Sequence, residues 1–306
     1  MSSGSHRIES ESFVSIWDSS NKVRYDDLFP SYENVEAVGN DAGIQELINA
    51  WETIVNSDKT KFLSCEDSLQ HPHFHSIVSK LPGMEQRDTF WNGGNKTQSK
   101  SQYCPNIKLN GNILSHTRHA RYLEGNSPDF TFFKINTNSP TPEKVDTFYV
   151  RFFVVLTMEK DISSDKYHLG KCITHLKQLR KFQKHRDIFT GVLTNLKKVV
   201  FIRYHPVKQH LFEYAISKSM QDGICYLYLL LNENYKSGFT LPITTISGIN
   251  FENYLSSGHT AKVFKVTYIG ESCALKAFKN ESYYESERNF MIKNGLKVIG
   301  EDNINN

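Results

Sequence analysis

The run from Thr147 to Thr157 (TFYVRFFVVLT) limits the fold more than any other part of this chain. Successive side chains of a strand point to opposite faces, so a nearly unbroken β-branched and aromatic run needs apolar cover on both sides. The element that follows supplies such cover. Ser163 to Asp165 reads as a helix cap, and the segment from Lys166 to about Lys184 carries Cys172, Ile173, Leu176, Leu179 and Phe182 at helical spacing. Its other stripe shows Lys171, Lys177, Lys181 and Lys184. Strands are expected at Phe130–Ile135, Asp187–Thr194, Lys198–Tyr204 and Gln209–Ser217, with a hairpin turn at Asn195–Lys197. A helix is expected from Gln221 to Asn234, and helical character from Phe13 to about Ser57, where Ile44, Leu47, Ile48 and Trp51 recur at helical spacing. Residues 85–105 are rich in Asn, Gly, Ser and Thr and read as a loop. The pattern predicts an α/β fold: a mixed sheet flanked by helices, followed by a small β-rich unit with one helix.

Composition excludes several classes. At 39% hydrophobic and 12% aromatic residues the chain can bury a core, and 306 residues suffice for about two domains. No stretch approaches the ~18 apolar residues of a membrane span, and the N-terminus lacks the apolar region of a secretory signal. Five scattered cysteines read as reduced thiols, so an intracellular place, nucleus or cytoplasm, is expected. Net charge is +3, but residues 171–208 hold ten Lys/Arg against one acid, leaving the remainder at −6. Such asymmetry suits an anionic partner, nucleic acid among them; a solvated basic face is the plainer alternative.

The last fifth of the chain repeats a different order: strand, tight turn, strand, strand with a lysine, helix with an acid. Ser256, Gly258 and Ala261 line the turn, Val263 follows, Lys276 lies 13 residues on and Glu287 another 11. Residues 249–306 resemble the N-terminal lobe of a protein kinase. The resemblance implies an ATP site in which Ser256, Gly258 and Ala261 occupy the three glycine positions of the phosphate loop. It implies that Val263 packs on adenine, that Lys276 grips the phosphates and that Glu287 holds Lys276; Glu285 is the rival for that pairing. Only the middle glycine is kept. The base and the Mg2+-binding residues of the family belong to a C-terminal lobe beyond these motifs. The expectation is therefore nucleotide contact by this chain, and phosphorylation of protein Ser/Thr by a longer parent.

The middle of the chain resembles the PD-(D/E)XK nuclease superfamily, in the version that precedes kinase-like domains in Crinkler-type and related eukaryotic proteins. The carriers are Ser127-Pro128-Asp129 before a strand, the long strand running to Thr157, Met158, Glu159 and Lys160, and the helix behind it. The superfamily uses two carboxylates for a divalent metal and a lysine two residues after the second acid. Asp129 matches the first acid. Either register for the second loses a group: Thr157 and Glu159 stand for acid and lysine, or Met158 and Lys160 do. The resemblance implies Asp129, Glu159 and Lys160 as worn catalytic positions, with Asp129 and Glu159 as metal ligands and Glu46 as a helix acid able to compensate. It leaves Lys177, Arg180, Lys181 and Lys184 to contact nucleic-acid phosphates. The expected organisation is an extension (1–39), a degenerate nuclease-like domain (40–235), a linker (236–248) and the kinase-like fragment (249–306).

Overall fold

The long apolar run forms the middle of a nine-stranded mixed sheet. A computed structural model describes residues 12–25, 44, 45, 48, 49, 51–53, 74, 75, 78, 79, 85, 86, 107–109, 112–118, 120–134, 145–231, 248–278 and 281–295. The strands are β1 (Lys22–Arg24), β2 (Glu85–Gln86), β3 (Ile107–Leu109), β4 (Asn112–His116), β5 (Phe130–Lys134), β6 (Val150–Leu156), β7 (Phe189–Thr194), β8 (Val199–His205) and β9 (Leu211–Ile216). Their order is β1-β9-β8-β7-β6-β5-β4-β3-β2. Pairs β1/β9 and β6/β7 are parallel and the rest antiparallel. Among the described residues four longer helices are α1 (12–19), α2 (Lys166–Phe182), α3 (Met220–Leu231) and, later in the chain, α4 (Glu281–Lys293); residues 44–45, 48–49, 51–53, 74–75 and 78 are helical as well. A parallel pair needs a long crossover, and α2 provides it between β6 and β7.

Every residue of β6 is buried, as its composition requires. Its neighbours in register sort the sheet into two faces. Phe153, Gly191, Ile202 and Tyr214 form one row, and Val154, Val192, Phe201 and Ala215 form a row on the other side. Helices α1 and α2 cover the first face: Trp17 meets Tyr214 edge-on at 5.4 Å, and Phe153 meets His175 of α2 at 5.5 Å. Gly170 lets α1 approach α2, since a Cβ there would lie 2.0 Å from the Phe13 carbonyl oxygen. The second face packs Ile44, Ile48, Trp51 and α3 into the main core. Trp51 donates its indole N–H to the Leu196 carbonyl (2.7 Å), so its polar atom is satisfied inside the core.

Four expectations need correction. Lys22–Arg24 is a strand, not a continuation of helix, because it pairs with β9 through Phe212–Tyr214. Glu85–Gln86, read as loop, pairs with β3. Thr147–Tyr149 is a 3-10 turn capped by the Asp146 carboxylate, which accepts the Phe148 N–H; the strand starts only at Val150. At its other end β6 stops at Leu156, short of Glu159 and Lys160. Glu46 and residues 236–247 of the predicted 236–248 linker lie outside the described residues.

The chain divides into two compact units, residues 1–181 with 186–239, and residues 182–185 with 240–306. The second contains a three-stranded antiparallel meander, β10 (Ile249–Ser257), β11 (Ala261–Tyr268) and β12 (Glu271–Phe278), followed by α4. Phe251, Phe264 and Val266 are buried, whereas α4 buries no residue. Among the described residues no helix is long and apolar enough to cross a membrane.

Candidate functional site

The meander places the residues of the C-terminal motif side by side. Ser256 pairs with Val263, and Val263 pairs with Lys276, so three adjacent strands present them in one row. The period of two puts Ala274 and Phe278 on the Lys276 side of β12. The turn between β10 and β11 is closed by the Gly258 N–H, which donates to the Ala261 carbonyl (2.8 Å). Ala261 is buried and Gly258 exposed. A Cβ at Gly258 would meet only that carbonyl, at 3.9 Å. The close backbone approach that makes glycine necessary in a phosphate loop is thus not forced by the fold itself.

Helix α4 brings Glu287 to Lys276: the ammonium lies 2.5 Å from both Oε1 and Oε2. Glu285 is exposed, and Glu287 holds the pairing for which the two competed. Lys276 also lies 5.3 Å from the Phe278 ring centroid. Its side chain is 39% exposed and that of Glu287 32%. A pair this open adds only about 0–1 kcal/mol to stability. It fixes where an ammonium sits without sealing it from an anion. On β11, Lys265 forms a 2.6 Å pair with Glu252. The hydrogen bonds from Lys265 and then Thr267 hold the Glu252 carboxyl below its usual value.

The first unit treats its polar residues differently. Asp129, just before β5, is 1% exposed and accepts the Leu156 N–H at 2.7 Å, which ties the start of β5 to the end of β6. Thr157 continues from there and donates to Asp165 Oδ2 (2.6 Å). Asp165 is the N-cap of α2: it accepts the His168 N–H at 3.1 Å, and the His168 ring nitrogen Nδ1 lies 2.8 Å from Oδ2. Burial pushes the Asp165 carboxyl up, but His168 and Thr157 together outweigh it and leave it below the usual aspartate value. Burial drives the Cys172 thiol upward, against the opposing pull of Lys171. Burial and then Lys171 push the His175 imidazole down to about 3, so it stays neutral beside Phe153.

The residues of the predicted metal set fall on different segments: Asp129 precedes β5, and Glu159 follows the end of β6. Glu159 and Lys160 lie beyond the end of β6 at Leu156, after Thr157, whose N–H still donates to the Thr194 carbonyl of β7 (3.0 Å). Both are exposed, and Asn195 accepts them into a loop by donating to their carbonyls at 2.9 and 3.2 Å. Among the described residues no group of three or more His, Cys, Asp or Glu could hold a metal ion. The Thr157–Asp165–His168 chain was missed in the sequence; only Asp165, as part of a cap, left a signal there.

The predicted nucleic-acid residues are split. Lys177 and Lys181 are exposed on α2, but Lys181 pairs with Glu124 at 2.6 Å and Lys177 lies over the Phe212 ring at 5.6 Å. Arg180 is half-buried. Lys184 is exposed beyond the end of α2. Comparison with models of known protein families, with curated proteins and with solved structures finds no match to this chain.

Proposed function

We propose that the second unit binds ATP in the manner of a protein kinase N-lobe, within a protein kinase-like parent of the Crinkler type that phosphorylates protein Ser/Thr. The single observation behind this reading is the Lys276–Glu287 pair. An acid at the correct helical turn holds the strand lysine, next to Val263 in register and below a tight strand–strand turn. In this reading Val263 and Ala274 face the base, Lys276 reaches the phosphates and Glu287 positions Lys276. Mg2+ would accompany the nucleotide. The first unit is read as a degenerate PD-(D/E)XK nuclease-like domain. Its support is the antiparallel series β4, β5, β6, the α2 crossover to a parallel β7, and Asp129 at the start of β5. Thr157 stands where that fold needs an acid, which argues for binding or scaffolding rather than cleavage.

Calorimetric titration of the 306-residue chain with MgATP tests the reading. Saturable binding that Lys276→Ala weakens at least tenfold supports it; binding indifferent to Lys276→Ala removes it. A second reading, nucleic-acid binding by the first unit, draws on exposed Lys177 and Lys181, one helical turn apart on α2. It requires affinity for duplex DNA that falls steeply with salt and drops further in a Lys177→Ala/Lys181→Ala variant.

A further inference from the structure

The proposed nucleotide site is short of phosphate donors. Lys276 and Lys265 share one face of the meander, and each is already held by a carboxylate, Glu287 and Glu252. A triphosphate approaching that face meets two ion pairs of about zero net charge, not two cations. The usual remedy, a cradle of backbone N–H groups, is also reduced. The Gly258 N–H is committed to the Ala261 carbonyl, and the flanking positions Ser256 and Ala261 carry side chains.

One exposed side chain at the tip of the turn is placed to make up the shortfall. His259 is exposed, and its ring meets Tyr283 of α4 at 6.2 Å, inclined by 64°. Tyr283 is four residues before Glu287, hence on the same side of α4. Tyr284 beside it packs on Phe278, which shares the Lys276 face of β12. The imidazole is therefore drawn toward the side of the meander on which Lys276 and Glu287 meet.

We propose that His259 is a second phosphate contact of this site, with Tyr283 as the residue that positions it. The ligand class is a nucleoside di- or triphosphate. Affinity should rise with the number of phosphates through His259, whereas Val263 and Ala274 see only the base. The proposal rests on the ATP reading above, and the test separates the two.

The full chain is titrated with adenosine, AMP, ADP and ATP, as wild type and as Lys276→Ala, His259→Ala, His259→Lys, Tyr283→Phe and Tyr283→Leu. His259→Ala should weaken ATP about tenfold, the size of one charge-assisted hydrogen bond, and leave adenosine unchanged. His259→Lys should restore most of the loss. Tyr283→Leu should weaken ATP and Tyr283→Phe should not, because a ring alone orients the imidazole. If Lys276→Ala abolishes ATP binding but His259→Ala matches wild type, His259 is not a phosphate contact and the ATP reading stands. If His259→Ala weakens adenosine and ATP equally, the effect is structural and the proposal falls. If the wild type binds none of the four ligands, the ATP reading falls and the proposal with it.

Discussion

The two units use the same kinds of polar residue for opposite ends. In the first, carboxylates are buried and spent on the backbone: Asp129 binds the Leu156 N–H, and Asp165 caps α2 while holding Thr157 and His168. In the second, Glu287 and Lys276 are partly exposed and bind each other. A buried carboxylate that holds backbone N–H groups is costly to disturb. An open pair contributes little to folding and can be re-partnered by an anion. The contrast teaches that the first unit spends buried acids on holding its backbone, whereas the second leaves an ion pair open to solvent.

The sharpest way to break this contrast is to compare apolar truncations. Phe152→Ala, in the middle of β6 and 5.0 Å from Phe132, should cost about 3–5 kcal/mol, measured by denaturant unfolding of the first unit. Phe290→Ala on α4, 63% exposed in the wild type, should change stability by less than about 0.5 kcal/mol. Similar losses at both sites would refute the division.

A pH series gives the next largest effect. His175 is neutral when folded, with its pKa near 3, while an unfolded histidine takes up a proton below about 6.5. The unfolded state thus binds more protons between those values. Its stabilising share is full above pH 6.5 and falls by up to about 1.4 kcal/mol per pH unit as the solution is acidified toward pH 3. His175→Leu should flatten that slope in urea midpoints measured from pH 7 to pH 4.5. An unchanged slope would mean that His175 is not buried as described.

Glycine substitutions sharpen the contrast at smaller cost. Gly170→Ala drives a methyl group to within 2.0 Å of the Phe13 carbonyl oxygen, so α1 must shift, at roughly 1–3 kcal/mol. Gly258→Ala meets an open turn and should leave melting within about 0.5 kcal/mol of wild type. Lys276→Ala should also have a small effect, under about 1 kcal/mol of stability, because the ion pair it removes is exposed.

How much of this was legible in the sequence depended on burial. Strands β5 to β8 and helices α2 and α3 were readable because their apolar periods are long and unbroken. The short strands β1 to β4 were not read. Lys22–Arg24 alternates too briefly; for β3 and β4 the sequence carries one hairpin signal, the Asn110-Gly111 dipeptide between Ile107–Leu109 and Asn112–His116. The second acid of the predicted metal set was hard to place for a local reason. Sequence spacing assumed that the strand runs on to Lys160, but β6 ends at Leu156 and the Thr157 hydroxyl donates to Asp165, a partner that no period-of-two argument reveals. The second unit was easier. Lys276 and Glu287 were legible from their spacing of 11 residues, and the structure decided between Glu287 and Glu285 by the turn of α4 that faces β12.

The most direct measurement is a backbone amide chemical-shift map of the full chain titrated with MgATP. The account predicts saturable shifts confined to Ser256–Val263, Ala274–Lys276 and Glu287, all lost in Lys276→Ala. Shifts that instead follow Lys177, Lys181 and the rest of the basic α2 surface, and persist in Lys276→Ala, would contradict it.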